Sequence, residues 1–523
     1  MQNKCKKYFL RSLLILLFAL SSSLFSESEL LKVQIPMRDG VELVTDLYIP
    51  ENSKEALPCI LIRTPGPAKL RKIHSLMSSW GYVVAIQSLR SHHHSENHPE
   101  PYIADAWGEL QDGYDTIEWL GSSSYTNGKV GTFGASANGI TQLLLAPTQP
   151  EHLQCQFIQV ATPTLYHHAA YVGGKFCKHQ IESWFAKIAP KAYQSILENK
   201  SYNSYWEQID ASKKSEYVKI PAIHIGGWYD VFSQGTIDAF SSWQKNGGAG
   251  AKGKQKLIMG PWTHWGSKPE QFGEFKFPQA ALEFDENQLI RDWFDAHLKA
   301  DSEKLNQYPE VLYYVMGPLD QTPSKGNTWK KSHSWPPAAH KKAHYLTKSH
   351  QLKTKLPAFS SREYSFEYNP KNPVSTVGGK NLYLASGPFD QSKNEKREDV
   401  LTFTTSELEQ DTEVTGKITA TIYLSTSAPS TDLALTLTDV YPDGKSILIS
   451  EGIQHVKSNE EAVQAVDIDM WSTSMVFAKD HKIRLSVTSS NYPHFDKNPN
   501  PANNVIHVGS KYPSQVILPI ITD

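Results

Sequence analysis

The sequence has 523 residues, more than one ordinary hydrophobic core organises, so two or three domains are expected. Hydrophobic residues make up 39% of the chain and charged residues 20%, which is typical of a globular protein and argues against intrinsic disorder. The formal net charge is −2 and no segment concentrates basic residues, so nucleic acid is not an expected partner.

The N-terminal segment differs in composition from the rest of the chain. Basic residues precede an apolar run over 13–20, and serines follow at 21–23. This order predicts a secretory signal peptide over 1–26 and export, either to a periplasm or out of the cell. Because the apolar run is short for a bilayer span, no stable membrane insertion is expected after cleavage. An N-terminal membrane anchor is the alternative.

The first folded region alternates short apolar runs with helix-compatible segments. A β-hairpin is predicted around Asp39-Gly40, which separates apolar runs at 31–35 and 41–48. Further short apolar runs follow at 59–62, 82–86, 130–133, 157–161, 222–225 and 257–259. The segments 107–120 and 282–300 have helical spacing of apolar residues. This alternation predicts an α/β domain with a buried parallel sheet over 27–305.

One segment of this region interrupts the alternation. Residues 163–218 are rich in Tyr, His, Lys and Trp and contain helix-like stretches at 179–188 and 191–198. An insertion at this point lies over the carboxyl ends of the strands, where open α/β sheets bind ligands. We therefore predict a helical cap.

After residue 305 the pattern changes to short β-rich runs. They fall at 311–316, 400–403, 417–424, 433–440, 447–450 and 483–488, separated by Gly, Pro, Asn and Asp. This pattern predicts a C-terminal β-sandwich of the jelly-roll type over 306–523. Residues 318–395 are predicted to be an irregular connection.

Three cysteines remain after removal of the signal peptide. Cys59, Cys155 and Cys177 are too few for a disulfide framework in a chain of this length. A bridge between Cys155 and Cys177 and three buried free thiols are both compatible with the sequence.

The strongest chemical motif is the segment 129–142. An apolar run ends at Phe133, a tight Gly134-Ala135-Ser136 turn follows, and a segment able to start a helix comes next. A serine at such a strand-to-helix turn is held exposed at the edge of the sheet. The amides of the helix N-terminus then point to where an oxyanion would form. Ser136 is the predicted nucleophile.

Two further polar residues follow predicted strands. Asp230 comes shortly after the predicted strand at 222–225, and His264 shortly after the one at 257–259. The order Ser, Asp, His, each at the carboxyl end of a strand, is that of the α/β-hydrolases. His264 is predicted to take the serine proton and Asp230 to hold the imidazole in the required tautomer. A turn carboxylate and a surface histidine are the structural alternatives.

Several motifs in one order resemble the cocaine-esterase and X-Pro dipeptidyl-peptidase family of serine hydrolases. They stand at 39–43, 63–65, 112–120, 131–136, 227–230, 260–264, 439–444 and 489–496. The resemblance covers nearly the whole mature chain. It implies an α/β-hydrolase sheet with a helical cap, a C-terminal jelly roll, and Ser136, Asp230 and His264 as the catalytic residues.

The sequence departs from this family at two places that bear on the oxyanion hole. Ala137 replaces the family's tyrosine directly after the nucleophile, but only its backbone N–H is required there. Gly66 stands where the family has a tyrosine whose hydroxyl completes the oxyanion hole. We expect the Ala137 amide to be one oxyanion donor and the Gly66 amide to be the other.

The family's Asp-x-Arg-Gly loop is also altered, to Ser88-Leu-Arg-Ser91. It continues into a histidine-rich segment, 92–98, which invites a metal interpretation. No ordered carboxylate or cysteine spacing accompanies these histidines, so a solvated polar loop is predicted. We assign no metal and no cofactor.

The resemblance assigns Phe232 to the acyl pocket, and Trp228, Trp262 and Tyr166 are further aromatic candidates for pocket or core positions. No acidic pair to receive a free α-amine is evident. The leading hypothesis is therefore an acyl hydrolase of small ester or amide substrates that forms a covalent acyl-serine. A peptidase releasing Xaa-Pro dipeptides from short peptides is the second, and a non-catalytic binding protein with a decayed site is the third.

Overall fold

The computed structural model describes residues 28–51, 53, 55–93, 102–266, 271–272, 275–320, 322–459 and 462–522. The predicted signal peptide over 1–26 lies outside these residues. In the part of the chain that is described, no helix has the length and apolar character needed to cross a membrane.

Ten strands of the described residues up to Ser332 build the sheet that carries the site, and four more form two separate two-stranded sheets. Their bounds are β1 Ser28–Pro36, β2 Glu42–Pro50, β3 Cys59–Thr64, β4 Val83–Ser88, β5 Val130–Ala135, β6 Leu153–Gln159, β7 Tyr171–Val172, β8 Lys175–Phe176, β9 Ala222–Tyr229, β10 Lys256–Thr263, β11 Gln271–Phe272, β12 Phe275–Lys276, β13 Val311–Val315 and β14 Thr328–Ser332. The main sheet has the order β1-β2-β4-β3-β5-β6-β9-β10-β13-β14. It is parallel from β4 to β13, and antiparallel strands complete both edges.

The predicted crossover helices flank this sheet. The helices of the described residues are α1 Lys72–Ser79, α2 Arg90–His93, α3 Asp112–Ser122, α4 Ala137–Leu145, α5 Lys178–Ile188, α6 Pro190–Glu198, α7 Ser204–Glu207, α8 Ser233–Asn246 and α9 Glu286–Leu298. In α9, Leu289, Trp293 and Ala296 are buried, as their helical spacing predicts. The Asp285 side chain accepts a hydrogen bond from the Gln288 amide and so caps the first turn of α9.

The segment 163–218 contains α5, α6, α7 and the short hairpin β7–β8. Its interior is aromatic, because Tyr166 contacts Tyr171, Tyr202 and Trp206 with ring centroids 5.4 Å apart in each case. Burial of these rings holds together short helices that would not be stable alone. The segment is mainly helical, as the sequence predicts.

The second half of the chain forms an all-β domain. Its strands are β15 His340–Thr347, β16 Gln351–Lys353, β17 Arg362–Tyr368, β18 Leu401–Thr404, β19 Thr412–Thr426, β20 Ser430–Val440, β21 Ser446–Lys457, β22 Gln464–Phe477, β23 Lys482–Thr488, β24 Ala502–Val508 and β25 Gln515–Ile520. The long strands pair antiparallel, β19 with β22 and β20 with β21 and β23. Their inward-facing Val, Ile and Leu side chains form one continuous core.

Two sequence expectations about this half are wrong. The run predicted as the first strand of the β domain is β13, which pairs in parallel with β10, so the first sheet extends past residue 305 to Ser332. The segment 318–395 is not a wholly irregular connection, because it contains β14, β15, β16 and β17. Strand pairing is non-local, so a β-rich run does not itself tell which sheet it joins. The exposed first half of β15 also weakens its apolar alternation.

The cap hairpin is fixed to the β domain by close backbone packing and a buried ion pair. The His455 amide donates to the Gly173 carbonyl over 2.8 Å. Lys175 Nζ lies 2.7 Å from Asp432 Oδ2, and both side chains are at least nine-tenths buried. A Cβ atom at Gly173 would overlap the Ile453 carbonyl oxygen, whereas one at neighbouring Gly174 would meet only the His455 Cβ at 3.7 Å.

We expect Gly173→Ala to destabilise the protein more than Gly174→Ala does. Both glycines have positive φ, 56° and 73°, so both substitutions carry a strain of roughly 1–2 kcal/mol. Only Gly173→Ala adds a clash with backbone that cannot move independently. Thermal unfolding of the two variants measures the difference, and equal midpoints would contradict this account of the cap contact.

Candidate active site

Ser136 occupies a strained turn between β5 and α4. Its φ and ψ are 58° and −124°, and its amide donates to the Gln159 carbonyl over 3.0 Å. The turn is possible only with small neighbours. A Cβ at Gly134 would lie 2.5 Å from the Asn138 Cβ, and one at Gly139 would lie 2.7 Å from the Ala161 Cβ. The two glycines therefore let the chain reverse while the serine stays half-buried at the edge of the sheet.

The structure brings the three predicted residues into one hydrogen-bonded chain. His264 Nε2 is 2.9 Å from Ser136 Oγ, and His264 Nδ1 is 2.6 Å from Asp230 Oδ2. Asp230 is completely buried, and its Oδ1 accepts the Phe232 amide over 2.7 Å. With Nδ1 protonated towards the carboxylate, Nε2 is left with a lone pair facing the serine hydroxyl. This arrangement suits removal of the serine proton.

Local packing explains why the histidine and the aspartate meet. Asp230 directly follows β9 and His264 directly follows β10, which are adjacent parallel strands. The register of this pair shifts between Gly260 and Thr263. At Gly227 the Trp262 backbone comes too close for any Cβ. The close approach turns the end of β10 towards β9, so the imidazole reaches the carboxylate.

A small pocket of about 30 Å³ opens beside Ser136. It is largely apolar, and its lining residues are Tyr102, Ser136, Ala137, Ile140, Leu165, Ala169, Gln180, Trp184, Phe185, Phe232 and Leu382. The Phe232 ring also makes an edge contact with the His264 imidazole at 5.6 Å between centroids. Of the four residues predicted for the pocket, Phe232 is the one that lines it.

The other three predicted pocket residues are core residues, which corrects the sequence interpretation. The Trp228 indole donates to the Tyr314 carbonyl over 2.7 Å and packs on Trp335. The Trp262 indole donates to the Ala281 carbonyl over 3.3 Å. Tyr166 lies in the aromatic interior of the cap, where its hydroxyl donates to the Lys200 carbonyl. These rings are buried in the core because aromatic burial is favourable when the indole N–H or the hydroxyl has a hydrogen-bond acceptor there.

Sequence reasoning missed pocket residues contributed from distant parts of the chain. Leu382 comes from the β domain and is anchored beside the site, because the Trp265 indole donates to its carbonyl over 3.2 Å. Tyr102 precedes α3 in the chain and is almost completely buried, which raises the pKa of its hydroxyl. Gln180 comes from α5. No spacing rule connects these positions to Ser136.

The two predicted oxyanion donors differ in their surroundings. Ala137 is the first residue of α4, where a backbone N–H has no partner within the helix. The Gly66 amide already donates to Thr64 Oγ1 over 3.2 Å, and Gly66 is not among the residues that line the pocket. In this conformation the Gly66 amide is therefore occupied, which disagrees with its expected role as a free donor.

The altered loop after β4 is held by buried charges. The Arg90 Nε donates to Asp112 over 2.7 Å, and Arg90 also forms an ion pair with Asp39 over 2.7 Å. Next to it, Arg63 pairs with Asp105. Residues 94–98 of the histidine-rich segment lie outside the described residues. The described residues contain no group of three or more metal-ligating side chains.

Cys59, Cys155 and Cys177 are free and buried, so Cys155 and Cys177 do not form a bridge. Burial raises the pKa of the Cys177 thiol to about 12, which keeps it protonated at neutral pH.

Comparison with known proteins identifies relatives along almost the whole chain. Residues 39–193 and 183–266 match the family model described as X-Pro dipeptidyl-peptidase (S15 family). Residues 303–517 match the model described as the X-Pro dipeptidyl-peptidase C-terminal non-catalytic domain. Cocaine esterase of Rhodococcus sp. (strain MB1 Bresler) is 28% identical over 582 residues, which cover 94% of this chain and 98% of the esterase.

Solved structures with the same fold confirm the predicted fold class. An aminopeptidase from a marine sediment Thaumarchaeota archaeon has a TM-score of 0.80 at 21% identity, covering 96% of this chain and 97% of its own. An α-amino acid ester hydrolase has a TM-score of 0.78 at 22% identity, covering 95% and 97%. At these identities the likeness establishes the fold: a parallel-rich α/β sheet followed by an all-β domain.

Proposed function

We propose that this chain, which belongs to the cocaine-esterase and X-Pro dipeptidyl-peptidase family of serine hydrolases, cleaves carboxylic esters through an acyl intermediate on Ser136. As a serine hydrolase of this family it acts on ester or amide bonds. The observation that carries the finer proposal is the unbroken hydrogen-bonded chain from Ser136 through His264 to the buried Asp230.

The proposed mechanism follows from these contacts. Ser136 Oγ attacks the carbonyl carbon while His264 Nε2 takes the hydroxyl proton. Asp230 stabilises the imidazolium that forms, because its buried carboxylate faces Nδ1. The imidazolium then protonates the leaving alcohol, and the acyl group remains on the serine. Water attacks this ester with His264 as base again, which releases the acid and restores the hydroxyl.

The apolar pocket supports esters over substrates with a free α-amine. Among the described residues that line it, none is a carboxylate, and Phe232, Phe185 and Leu382 offer only apolar surface. An ammonium placed there would lose hydration without gaining a charged partner, which costs roughly 10- to 100-fold in binding. Faster turnover of an Xaa-Pro anilide than of a simple aryl ester would contradict this preference.

Export is proposed on the sequence of residues 1–26, with their basic start, apolar centre and serine end. The three buried free thiols are compatible with this proposal, because the described fold needs no disulfide. Recovery of the mature protein with its basic N-terminus intact would contradict it.

A fluorophosphonate probe tests the role of Ser136. We expect rapid labelling of the native protein, because the probe reacts with a serine whose proton is taken by histidine. Ser136→Ala removes the attacked oxygen and should abolish labelling and ester hydrolysis. Ser123→Ala, which removes a hydroxyl bonded to the Leu120 carbonyl, is the matched control and should leave both intact. Labelling that survives in Ser136→Ala would exclude this nucleophile.

Replacement of Gly66 tests the altered oxyanion hole. A Cβ at Gly66 would meet only Thr64 Oγ1, at 3.7 Å, so the backbone accepts a side chain. We expect Gly66→Tyr to raise kcat for a simple ester by roughly 10- to 100-fold, because a restored hydroxyl donor stabilises the developing oxyanion.

Gly66→Phe is the control, since it adds the same ring without the hydroxyl and should give no such gain. Equal kcat values for the Tyr and Phe variants would show that position 66 supplies no missing donor.

A further inference from the structure

We propose that the cavity where the cap, the α/β domain and the β domain meet is a subsite for a carboxylate at the far end of the acyl group. The inference rests on the proposed function, because the ligand is a part of the substrate that Ser136 attacks. It adds a substrate class, half-esters of dicarboxylic acids.

The cavity lies directly behind the pocket of Ser136. It has a volume of about 30 Å³, and Gln180 lines both spaces. Two consecutive residues lie between the cavity and the pocket, because Val231 lines the cavity and Phe232 lines the pocket. In one loop of the β domain, Lys380 likewise lines the cavity and Leu382 lines the pocket. The two spaces are therefore neighbours, and the proposal requires an acyl chain that extends past Phe232 to Lys380.

Lys380 is a buried cation with unused donors. Its side chain is 4% exposed, and its ammonium donates to Ser450 Oγ over 3.1 Å. Among the described residues it forms no salt bridge, and the Trp471 ring is 5.8 Å away. Burial lowers the pKa of Lys380, and the charges of the Glu451 and Asp469 carboxylates act in the opposite direction. An ammonium has three N–H groups, so two remain without an acceptor among the described residues. These N–H groups make Lys380 a candidate hydrogen-bond donor to a ligand.

Two neutral side chains of the cavity also have unused hydrogen-bonding capacity. Gln180 is 7% exposed, and its carboxamide bonds to no other described side chain or backbone group. His494 is 7% exposed, and its buried Nδ1 has no partner among the described residues. Each can donate an N–H to a ligand, so the cavity offers donors from three directions.

The carboxylate of Glu451, which also lines the cavity, is already engaged. Its Oε1 accepts the Lys380 backbone amide over 2.8 Å, and its Oε2 accepts the Asn491 amide group over 3.0 Å. Its position is fixed further by Gly379, where any Cβ would overlap it. Each of these oxygens accepts a hydrogen bond, whereas N–H groups of Lys380, Gln180 and His494 are unused among the described residues, so a ligand with acceptor atoms complements the cavity. A carboxylate can accept from all three side chains, and its hydrogen bonds from the Lys380 ammonium are charge-assisted.

Ethyl half-esters of dicarboxylic acids of increasing chain length test this proposal. Each is compared with the ethyl ester in which a methyl group replaces the distal carboxylate, and acid release is followed at constant pH. At one chain length we expect kcat/KM for the half-ester to exceed that of its partner by about 10-fold or more. Lys380→Met, which keeps the length of the side chain, should reduce this ratio at least about 10-fold.

The matched control is Lys342→Met, which removes a lysine exposed on β15 and should leave the ratio unchanged. If Lys380→Met fails to fold, Gln180→Leu takes its place and should lower the same ratio. Hydrolysis of both ester series with no preference for the carboxylate overturns the subsite and leaves the proposed function intact. Faster hydrolysis of an ester with a distal ammonium group than of the half-ester would also overturn the carboxylate subsite. Glu451 would then be the group that binds the distal charge. Absence of any hydrolysis or probe labelling is instead a failure of the proposed function.

Discussion

The site depends on backbone packing so close that no Cβ atom fits at three positions. Gly134 and Gly139 allow β5 to turn into α4 with Ser136 at the apex, and Gly227 allows the end of β10 to approach β9. Gly134 and Gly139 thus determine where the Ser136 hydroxyl lies, and Gly227 allows His264 to reach Asp230. Two adjacent strands of one sheet therefore carry the proposed base and acid to the proposed nucleophile, which stands at the end of a third strand. Strain at Ser136, a non-glycine residue with φ of 58°, is tolerated because this packing determines its conformation.

The β domain contributes to the pocket beside Ser136, although its residues match a family model described as a non-catalytic domain. Its loop around 380 closes the pocket with Leu382, and the Trp265 indole ties that loop to the segment directly after His264. The cap is tied to the same domain through the Gly173 carbonyl and the buried pair of Lys175 and Asp432. The residues that line the pocket beside Ser136 thus come from three structural units, whereas the proposed proton relay lies at the edge of one sheet.

Much of the fold could be predicted from the sequence because its signals are local. The runs at β3, β5 and β10 are short, apolar and bounded by turn residues, and α9 shows its buried stripe at Leu289 and Trp293. The order of Ser136, Asp230 and His264 could be read for the same reason, since each directly follows a strand. The sheet to which β13 belongs could not be read, because pairing with β10 is a long-range choice.

Pocket residues were the hardest to predict, and their chemistry explains why. Trp228 and Trp262 sit beside the motifs of the site in sequence, yet their strands direct them into cores where carbonyl groups accept their indole N–H. Leu382, in contrast, reaches the pocket from the other domain, and its neighbourhood carries no motif. Nothing local distinguishes an aromatic residue that fills a core from one that lines a pocket.

The proposed subsite would compensate for the altered oxyanion hole, because binding energy gained far from the reacting carbonyl can contribute to catalysis. With glycine at position 66 and its amide bonded to Thr64, the proposed site would stabilise a developing negative charge less than a site with an additional hydroxyl donor. Binding energy from a remote part of a substrate can offset such a loss when it holds the reacting carbonyl in the productive orientation. An anchor at Lys380 would act in this way, because it fixes the far end of the acyl chain while Phe232 and Leu382 confine its middle. A short neutral acyl group lacks that anchor, so selectivity would arise from orientation at Ser136 as much as from affinity.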